Sequence, residues 1–117
     1  MTFLSNLFGS PLPALDALEL SEKLKGSKRP LVLDVRQPEE YRVAHVPGAK
    51  LIPLGELSRR MNELPKSSEI VCVCASGNRS SSATKMLINA GYNAINMKGG
   101  MSTWRMAKLE VKKGDVA

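Results

Sequence analysis

Short apolar runs, each with the length of a buried strand, alternate with segments of helical periodicity along this chain. The runs are PLVLDV at 30–35, EIVCVC at 69–74 and NAINM at 93–97. Between them, apolar residues recur about one helical turn apart, and glycine or proline follows several of these segments. Strands that alternate with helices favour a parallel sheet covered on both faces. The sequence therefore predicts a three-layer α/β domain.

The remaining segments complete this arrangement. Helices are predicted over 14–25, over PEEYRVA from Pro38, from Leu54 to Leu64, in the segment that ends before Gly91, and around Met101 and Trp104. HVPGAKLIPL is predicted to contain a Pro-Gly turn and a further short strand. We expect an N-terminal arm at residues 1–12, one domain at 13–110 and a frayed C-terminal tail at 111–117. The apolar side chains of the arm have helical spacing, so the arm could instead dock on the domain or on a partner.

Composition excludes several classes of protein. Two cysteines and one histidine are too few for a disulfide scaffold or for a closed four-ligand zinc site, and we expect no metal or other cofactor. No apolar run has the length of a membrane helix and the first residues do not resemble a signal peptide, so we expect a cytoplasmic protein with no membrane partner. The net charge is +6, but the basic residues are scattered and no aromatic residues interleave with them. Nucleic-acid binding is therefore not expected, whereas attraction of small anions fits this charge.

Cys74 stands where the second apolar run ends, and the small residues ASGN separate it from Arg79 and a predicted helix. Such residues let the chain curl so that successive backbone N–H groups point inward, an arrangement that binds anions. These amides, the helix dipole and Arg79 would lower the pKa of the Cys74 thiol. The pattern predicts a nucleophilic cysteine beside an oxyanion pocket, and a structural cysteine followed by an ordinary turn is the alternative.

Cys72 precedes Cys74 by two positions, so both side chains point to the same face of a strand. Cys72 lies between Val71 and Val73 and is predicted to be a small buried apolar residue. A redox pair of the two cysteines is disfavoured, because such neighbours are separated by roughly 6.5–7 Å, which is long for a disulfide.

Three motifs together resemble the rhodanese-like domain. They are LDVRQPEEYRVAHVPGA from Leu33, CASGNRS from Cys74 and KGGMSTW from Lys98, in the order and at spacing similar to that of the family. The resemblance implies a rhodanese-like α/β/α fold with a mainly parallel central sheet of about five strands. It also implies a single-domain sulfurtransferase. Cys74 would accept a sulfane sulfur from thiosulfate or a persulfide donor, and would pass it from a cysteine persulfide to cyanide, a thiol or a partner protein in a sulfur relay.

The resemblance implies roles for further residues. The substrate-binding residues would be the loop residues, whose amides hold the terminal sulfur or the departing sulfite: Ala75, Ser76, Gly77, Asn78, Arg79 and Ser80. Arg79 would also hold the shape of the loop, and Arg36, in the D-x-R motif, is a further candidate for binding substrate. Asp34 is predicted to tie its strand end to the next helix. His45 and Trp104 are predicted to support a turn and the core, respectively.

The length of the cysteine loop bears on the type of reaction, and its charge bears on the sulfur donor. Related protein phosphatases, like the tyrosine phosphatases, place five residues between cysteine and arginine, whereas four intervene here. The shorter loop favours sulfur transfer over a phosphatase or an arsenate reductase. Ala75 stands where many sulfurtransferase loops carry a basic residue, so thiosulfate is expected to bind weakly and another donor, such as a protein persulfide, is favoured. A non-enzymatic or low-turnover relay and interaction module is the alternative to an enzyme.

Overall fold

The computed structural model describes residues 11–117, which form five strands and five helices. The strands are β1 (Ala14–Leu15), β2 (Leu31–Asp34), β3 (Lys50–Leu51), β4 (Glu69–Val73) and β5 (Asn93–Met97). The helices are α1 (Ala17–Leu24), α2 (Pro38–Val43), α3 (Leu54–Arg60), α4 (Asn78–Asn89) and α5 (Gly100–Met106), with a 3-10 turn at Met61–Glu63. None of the helices in this part of the chain is long and apolar enough to cross a membrane. The predictions for residues 1–10 lie outside the described residues.

The strands form one sheet in the order β1-β5-β4-β2-β3, and every neighbouring pair is parallel. The predicted α/β fold with a parallel sheet of about five strands is confirmed. In the centre of the sheet, Cys72 of β4 lies between Leu33 of β2 and Asn96 of β5. Because all strands run in the same direction, their carboxyl ends meet at one edge, which is where sheets of this kind bind ligands.

Helices cover both faces of the sheet, as alternation of side chains along the strands requires. On one face, Leu20 of α1, Tyr41 of α2 and Trp104 of α5 pack against apolar side chains of the sheet. On the other face, Leu57 of α3 and Leu87 of α4 pack with Cys72, Cys74 and their neighbours. Both cysteines therefore lie on the α4 side of the sheet, as the predicted strand geometry requires.

The predicted helix over 14–25 begins later than expected. Ala14 and Leu15 pair with β5 instead, and α1 begins at Ala17. Asp16 marks this boundary, because its carboxylate accepts a hydrogen bond from the Glu19 backbone while the Glu19 carboxylate accepts one from the Asp16 backbone. This reciprocal capping box is a local signal that identifies the start of the helix.

The residues after Val111 are held against the turn that follows α2. The backbones of His45 and Lys112 exchange two hydrogen bonds of 2.9 Å, and the Gly114 N–H donates to the Arg42 carbonyl oxygen. Asp115 forms a salt bridge of 2.7 Å with Arg42. The prediction that this tail is frayed is therefore wrong. The sequence did not indicate these contacts, because pairing with a segment some seventy residues earlier leaves no local pattern. The predicted domain limits at residues 13 and 110 stay a prediction.

Candidate active site

Cys74 directly follows β4, and α4 begins four residues later at Asn78. The strand brings Cys74 to the carboxyl edge of the sheet, and α4 covers its side chain, which is fully buried. The loop between them contains the small residues Ala75, Ser76 and Gly77, and the fourth, Asn78, is the first residue of α4. The site is thus a sharp turn from a central strand into a helix.

Two glycines allow the loop to close tightly against the turn between β5 and α5. Gly77 has a φ of 105°, and a Cβ atom at this position would lie 3.2 Å from the backbone nitrogen of Gly99. Gly100 has a φ of 58°, and a Cβ atom there would lie 2.6 Å from the carbonyl oxygen of Ala75. These positive φ values and close approaches require glycine. A side chain at either position would displace the loop.

The first turn of α5 binds the carbonyl groups of the loop. The Met101 N–H donates to the Cys74 carbonyl oxygen at 2.8 Å, and the Ser102 N–H donates to the Ala75 carbonyl oxygen at 3.1 Å. With these carbonyls held by α5, N–H groups later in the loop are directed toward the thiol. The Gly77 N–H donates to Cys74 Sγ at 3.0 Å. The predicted inward-facing amides are therefore present at Gly77.

Hydrogen bonds lower the pKa of the Cys74 thiol below its ordinary value. Burial acts in the opposite direction, because it penalises the charged form. The Ser80 hydroxyl, 3.3 Å from Sγ, and the backbone N–H groups of Ser80, Gly77 and Ser76 outweigh burial. The arrangement favours a thiolate surrounded by neutral donors, which suits a nucleophile that is activated without a general base.

Cys72 has the opposite electrostatic environment. Burial raises the pKa of its thiol to about 11, the nearby Cys74 adds to this effect, and the Thr84 hydroxyl only partly offsets it. Cys72 packs in the core with Leu33 and Leu87, in agreement with its predicted role. Neither cysteine forms a disulfide.

Arg79 is paired with a carboxylate of α2. Its Nη1 and Nη2 atoms donate to Glu40 Oε1 and Oε2 at 2.7 and 2.9 Å. The hydrogen bonds from Arg79 hold the pKa of Glu40 at about 2, so Glu40 is ionised at neutral pH and balances the charge of Arg79. The pair ties the start of α4 to α2. Ala75 adds no charge, so the loop offers neutral donors around the sulfur.

Arg36 is committed to a second ion pair, at the end of β2. Its guanidinium donates to the Asp34 carboxylate at 2.7–3.2 Å and to the Ala44 carbonyl oxygen at 2.8 Å. Both side chains are buried. The pair links the end of β2 to the residue after α2, which is the role predicted for Asp34. These contacts use Nε and Nη2 of the guanidinium, and a substrate-binding role for Arg36 stays a prediction.

His45 and Trp104 make contacts that stabilise the fold. The buried His45 ring stacks on Tyr41, and its two ring nitrogens lie 2.8 Å from the carbonyl oxygens of Tyr41 and Val116. Trp104 Nε1 donates to the Glu110 carbonyl oxygen at 2.9 Å. These contacts agree with the structural roles predicted for both residues.

The strand-end cysteine, the closed loop and the buried D-x-R pair all lie within the part of the chain that one family model matches. The family model of the rhodanese-like domain matches residues 16–107. The chain belongs to the rhodanese-like domain family. The predicted resemblance is therefore confirmed, and the five-stranded parallel sheet is the rhodanese fold.

Relatives of this rhodanese-like domain align with most of the chain. It is 38% identical over 96 residues to the "Putative sulfur carrier protein YrkF" of Bacillus subtilis, covering 81% of the chain and 52% of the relative. It is 34% identical over 98 residues to a sulfurtransferase of Allochromatium vinosum, covering 83% and 92%. A crystal structure of a rhodanese-like domain protein from Staphylococcus aureus superposes with a TM-score of 0.79 at 35% identity, covering 87% and 100%. The chain thus spans about half the length of the first relative.

Three residues around the loop of this rhodanese-like domain were not assigned to the site from the sequence. Asn96 contacts Ser80, Glu40 pairs with Arg79, and a side chain at Gly100 would collide with Ala75. The available signals were weak. Asn96 is a polar residue inside an apolar strand, and Glu40 was interpreted only as an acidic residue that favours a helix N-terminus.

Proposed function

We propose that this rhodanese-like domain is a sulfurtransferase that carries a sulfane sulfur as a persulfide on Cys74. The observation that supports this most is the position of Cys74 Sγ, which accepts hydrogen bonds from the Gly77 N–H and the Ser80 hydroxyl inside a closed loop. Membership of the family and the names of the relatives support sulfur transfer as the general activity.

In the loading step, an electron pair of the Cys74 thiolate attacks the outer sulfur of the donor. A new S–S bond forms, and the bond between that sulfur and the rest of the donor breaks. The leaving group takes the bonding electrons and departs as sulfite from thiosulfate, or as a thiolate from a persulfide. The N–H groups from Ala75 to Ser80 are proposed to stabilise the terminal persulfide sulfur, as Gly77 and Ser80 stabilise the thiolate.

In the unloading step, cyanide or an acceptor thiolate attacks the outer sulfur, and Cys74 departs with the electrons of the S–S bond. A thiol with a lowered pKa leaves faster in such an exchange. Stabilisation of the thiolate by the loop therefore assists both half-reactions. No proton transfer is needed at either step, which agrees with the use of His45 in packing.

The charge of the loop favours a protein persulfide over thiosulfate as donor. Arg79 is paired with Glu40, and Ala75 offers no charge, so the loop presents no unpaired guanidinium to a dianion. A persulfide on a partner protein carries less charge at the sulfur and adds contacts outside the loop. One relative, from Bacillus subtilis, is named a sulfur carrier protein, which supports a sulfur-relay role for this chain.

Mass spectrometry after incubation with a donor tests this proposal. Thiosulfate and a small-molecule persulfide should each add one sulfur atom at Cys74, and the persulfide should act faster. Cys74→Ser should show no addition, whereas the matched variant Cys72→Ala should be loaded like the wild type. Failure of every donor to load Cys74 in the folded wild type would refute the proposal.

A turnover assay distinguishes an enzyme from a relay module. Repeated formation of thiocyanate from cyanide is expected for an enzyme, whereas a relay module would be loaded once and would discharge slowly without its partner. Hydrolysis of an aryl phosphate that depends on Cys74 would instead support a phosphatase.

A further inference from the structure

The Ser80 hydroxyl lies between two buried acceptors. Its Oγ atom is 3.3 Å from Cys74 Sγ and 2.6 Å from Asn96 Oδ1. Cys74 and Ser80 are fully buried, and Asn96 is only 8% exposed, so bulk water is largely excluded from these contacts. A hydroxyl group has a single proton to donate. Ser80 therefore cannot donate to both acceptors at the same time.

The backbone holds Asn96 in this position. Asn96 lies beside Cys72 in the register of β4 and β5, and its N–H donates to the Pro13 carbonyl oxygen at 2.9 Å. Its side-chain Nδ2 lies 3.5 Å from the carbonyl oxygen of Gly77, the residue whose N–H contacts the sulfur. Asn96 therefore contacts two of the residues that donate to Cys74, Ser80 and Gly77.

The protonation state of Cys74 decides where the Ser80 proton goes. When Cys74 is a thiol, its S–H can donate to Ser80 Oγ, and the Ser80 O–H donates to Asn96 Oδ1 over the shorter distance. When Cys74 is a thiolate, the Ser80 O–H must turn toward the sulfur. The Asn96 amide can follow by rotating so that Nδ2 donates to Ser80 Oγ, because an amide both donates and accepts.

We propose that Asn96 is a positioning residue for Cys74. When Cys74 is a thiol, the Asn96 amide oxygen accepts a hydrogen bond from the Ser80 hydroxyl; when Cys74 is a thiolate, the Asn96 amide nitrogen donates a hydrogen bond to Ser80 Oγ. Ser80 can then direct its proton to the charged sulfur while its own oxygen keeps a donor. The rotation gives up the 3.5 Å contact of Nδ2 with the Gly77 carbonyl oxygen, which still accepts a hydrogen bond from the Ser81 N–H at 3.1 Å. This inference rests on the proposed function, in which the thiolate is the form that attacks the donor.

Other charged or titratable groups near the site are already balanced or remote from the exchange. Cys72 of β4 stays protonated, Arg79 of α4 is paired with Glu40 of α2, and Asp34 and Arg36 pair at the end of β2. Lys98, in the turn before α5, is exposed. Ser80, Asn96 and the loop amides are therefore the neutral groups whose hydrogen bonds can change when Cys74 ionises.

The substitution Asn96→Asp tests this role, because a carboxylate has the same shape but accepts only. The carboxylate would accept the Ser80 hydrogen bond in both protonation states of Cys74, and it would add negative charge near the sulfur. The midpoint of the pH dependence of Cys74 alkylation by iodoacetamide, followed by mass spectrometry, should shift upward by about one pH unit, which is about a tenfold change in the ionisation constant. An unchanged midpoint in the folded variant would overturn the proposal.

The double variant Ser80→Ala/Asn96→Asp separates action through Ser80 from a direct charge effect. If Asn96 acts through Ser80, Asn96→Asp should shift the midpoint by less than half as much in the Ser80→Ala background. An equal shift in both backgrounds would show that the carboxylate acts directly on Cys74, and would overturn the proposal.

An NMR titration of the wild type needs no substitution at Asn96. The side-chain NH₂ resonances of Asn96 should shift with the same midpoint as the Gly77 amide resonance, and Ser80→Ala should suppress the Asn96 shift alone. Constant Asn96 resonances through the titration would overturn the proposal. These measurements need no sulfur donor, so a protein that fails to form a persulfide can still show the Asn96 effect. Conversely, persulfide formation with an absent Asn96 effect rejects only this inference.

Discussion

The ends of β2 and β4 lie side by side at the same edge of the sheet, joined by a hydrogen bond of 3.0 Å from the Val35 N–H to the Val73 carbonyl oxygen. Both ends carry buried polar residues. At β2, the Asp34 carboxylate pairs with Nε and Nη2 of Arg36, and Nη2 also donates to the Ala44 carbonyl oxygen. At β4, neutral donors converge on the single sulfur of Cys74.

The two strand ends differ in whether their polar groups carry a full charge. Charged side chains are paired with an opposite charge where they connect elements: Arg36 pairs with Asp34 at the end of β2, and Arg79 of α4 pairs with Glu40 of α2. Dipoles without net charge surround the atom that is proposed to react. The first arrangement supports the fold, and the second can accommodate a change of charge or an added sulfur.

The largest expected effect is loss of stability when the pair at β2 is broken. Asp34→Ala would leave the buried Arg36 guanidinium without its carboxylate, and such a loss costs about 3–5 kcal/mol of unfolding free energy. Asp115→Ala removes a carboxylate from the exposed Arg42 pair and should cost less than about 1 kcal/mol. Urea denaturation measures both. Equal costs would mean that burial does not distinguish the β2 pair from a surface pair.

The two cysteines should differ strongly in reactivity. Because the pKa of Cys72 is about 11, only about one thiol in 10,000 is ionised there at pH 7, whereas the pKa of Cys74 is lowered. Iodoacetamide should modify Cys74 at least about a hundredfold faster than Cys72. The Cys74 rate should rise with pH and level off before that of an ordinary cysteine.

The same lowered pKa predicts a sign for the dependence of stability on pH. The folded state binds the Cys74 proton less tightly than the unfolded state does, so its contribution to stability is complete above the ordinary cysteine pKa. That contribution is lost as pH falls through the folded pKa, and Cys74→Ala should remove this part of the pH dependence.

For the alkylation experiment, comparable rates of modification of Cys72 and Cys74 in the folded protein would contradict the predicted difference in their pKa values.

Displacing the loop should reduce activity while the β2 pair stays intact. Gly100→Ala places a methyl group 2.6 Å from the Ala75 carbonyl oxygen and requires an unfavourable φ, so the loop must move. Persulfide formation should fall by about a hundredfold, as expected when reacting groups are misplaced by about 1 Å. Gly55→Ala is the matched control, because its Cβ atom would meet nothing within 4 Å. Equal loading rates for the two variants would show that loop position is not critical.

The smallest effect is expected from releasing Arg79. Glu40→Gln removes the charge that balances Arg79, so the Michaelis constant for thiosulfate should fall about threefold at low salt and less at high salt. The pair is partly exposed, so the change in unfolding free energy should be below about 1 kcal/mol. Glu39→Gln is the control, since Glu39 is exposed and forms no ion pair within residues 11–117. A Michaelis constant that does not fall would argue against the charge explanation for donor choice.

Much of the scaffold was predictable because its signals are local. The apolar runs that became β2, β4 and β5 and the helices between them follow from the spacing of neighbouring residues. The small residues between Cys74 and Arg79 likewise indicated a tight turn into a helix. The two residues of β1 were wrongly predicted to be helical, because so short a strand is recognisable only through its pairing with β5.

The contacts that tune the site depend on which elements become neighbours. Glu40 and Arg79 are 39 positions apart in sequence, and Ser80 and Asn96 are 16 apart. The alternating elements, the reactive cysteine candidate and the length of its loop could be predicted, since each depends on adjacent residues. The partners of Arg36 and Arg79, the packing of residues 112–116 and the contact of Asn96 with Ser80 are visible only in the folded chain. These choices follow from strand order and helix packing, which bring distant residues together and leave no periodic pattern in the chain.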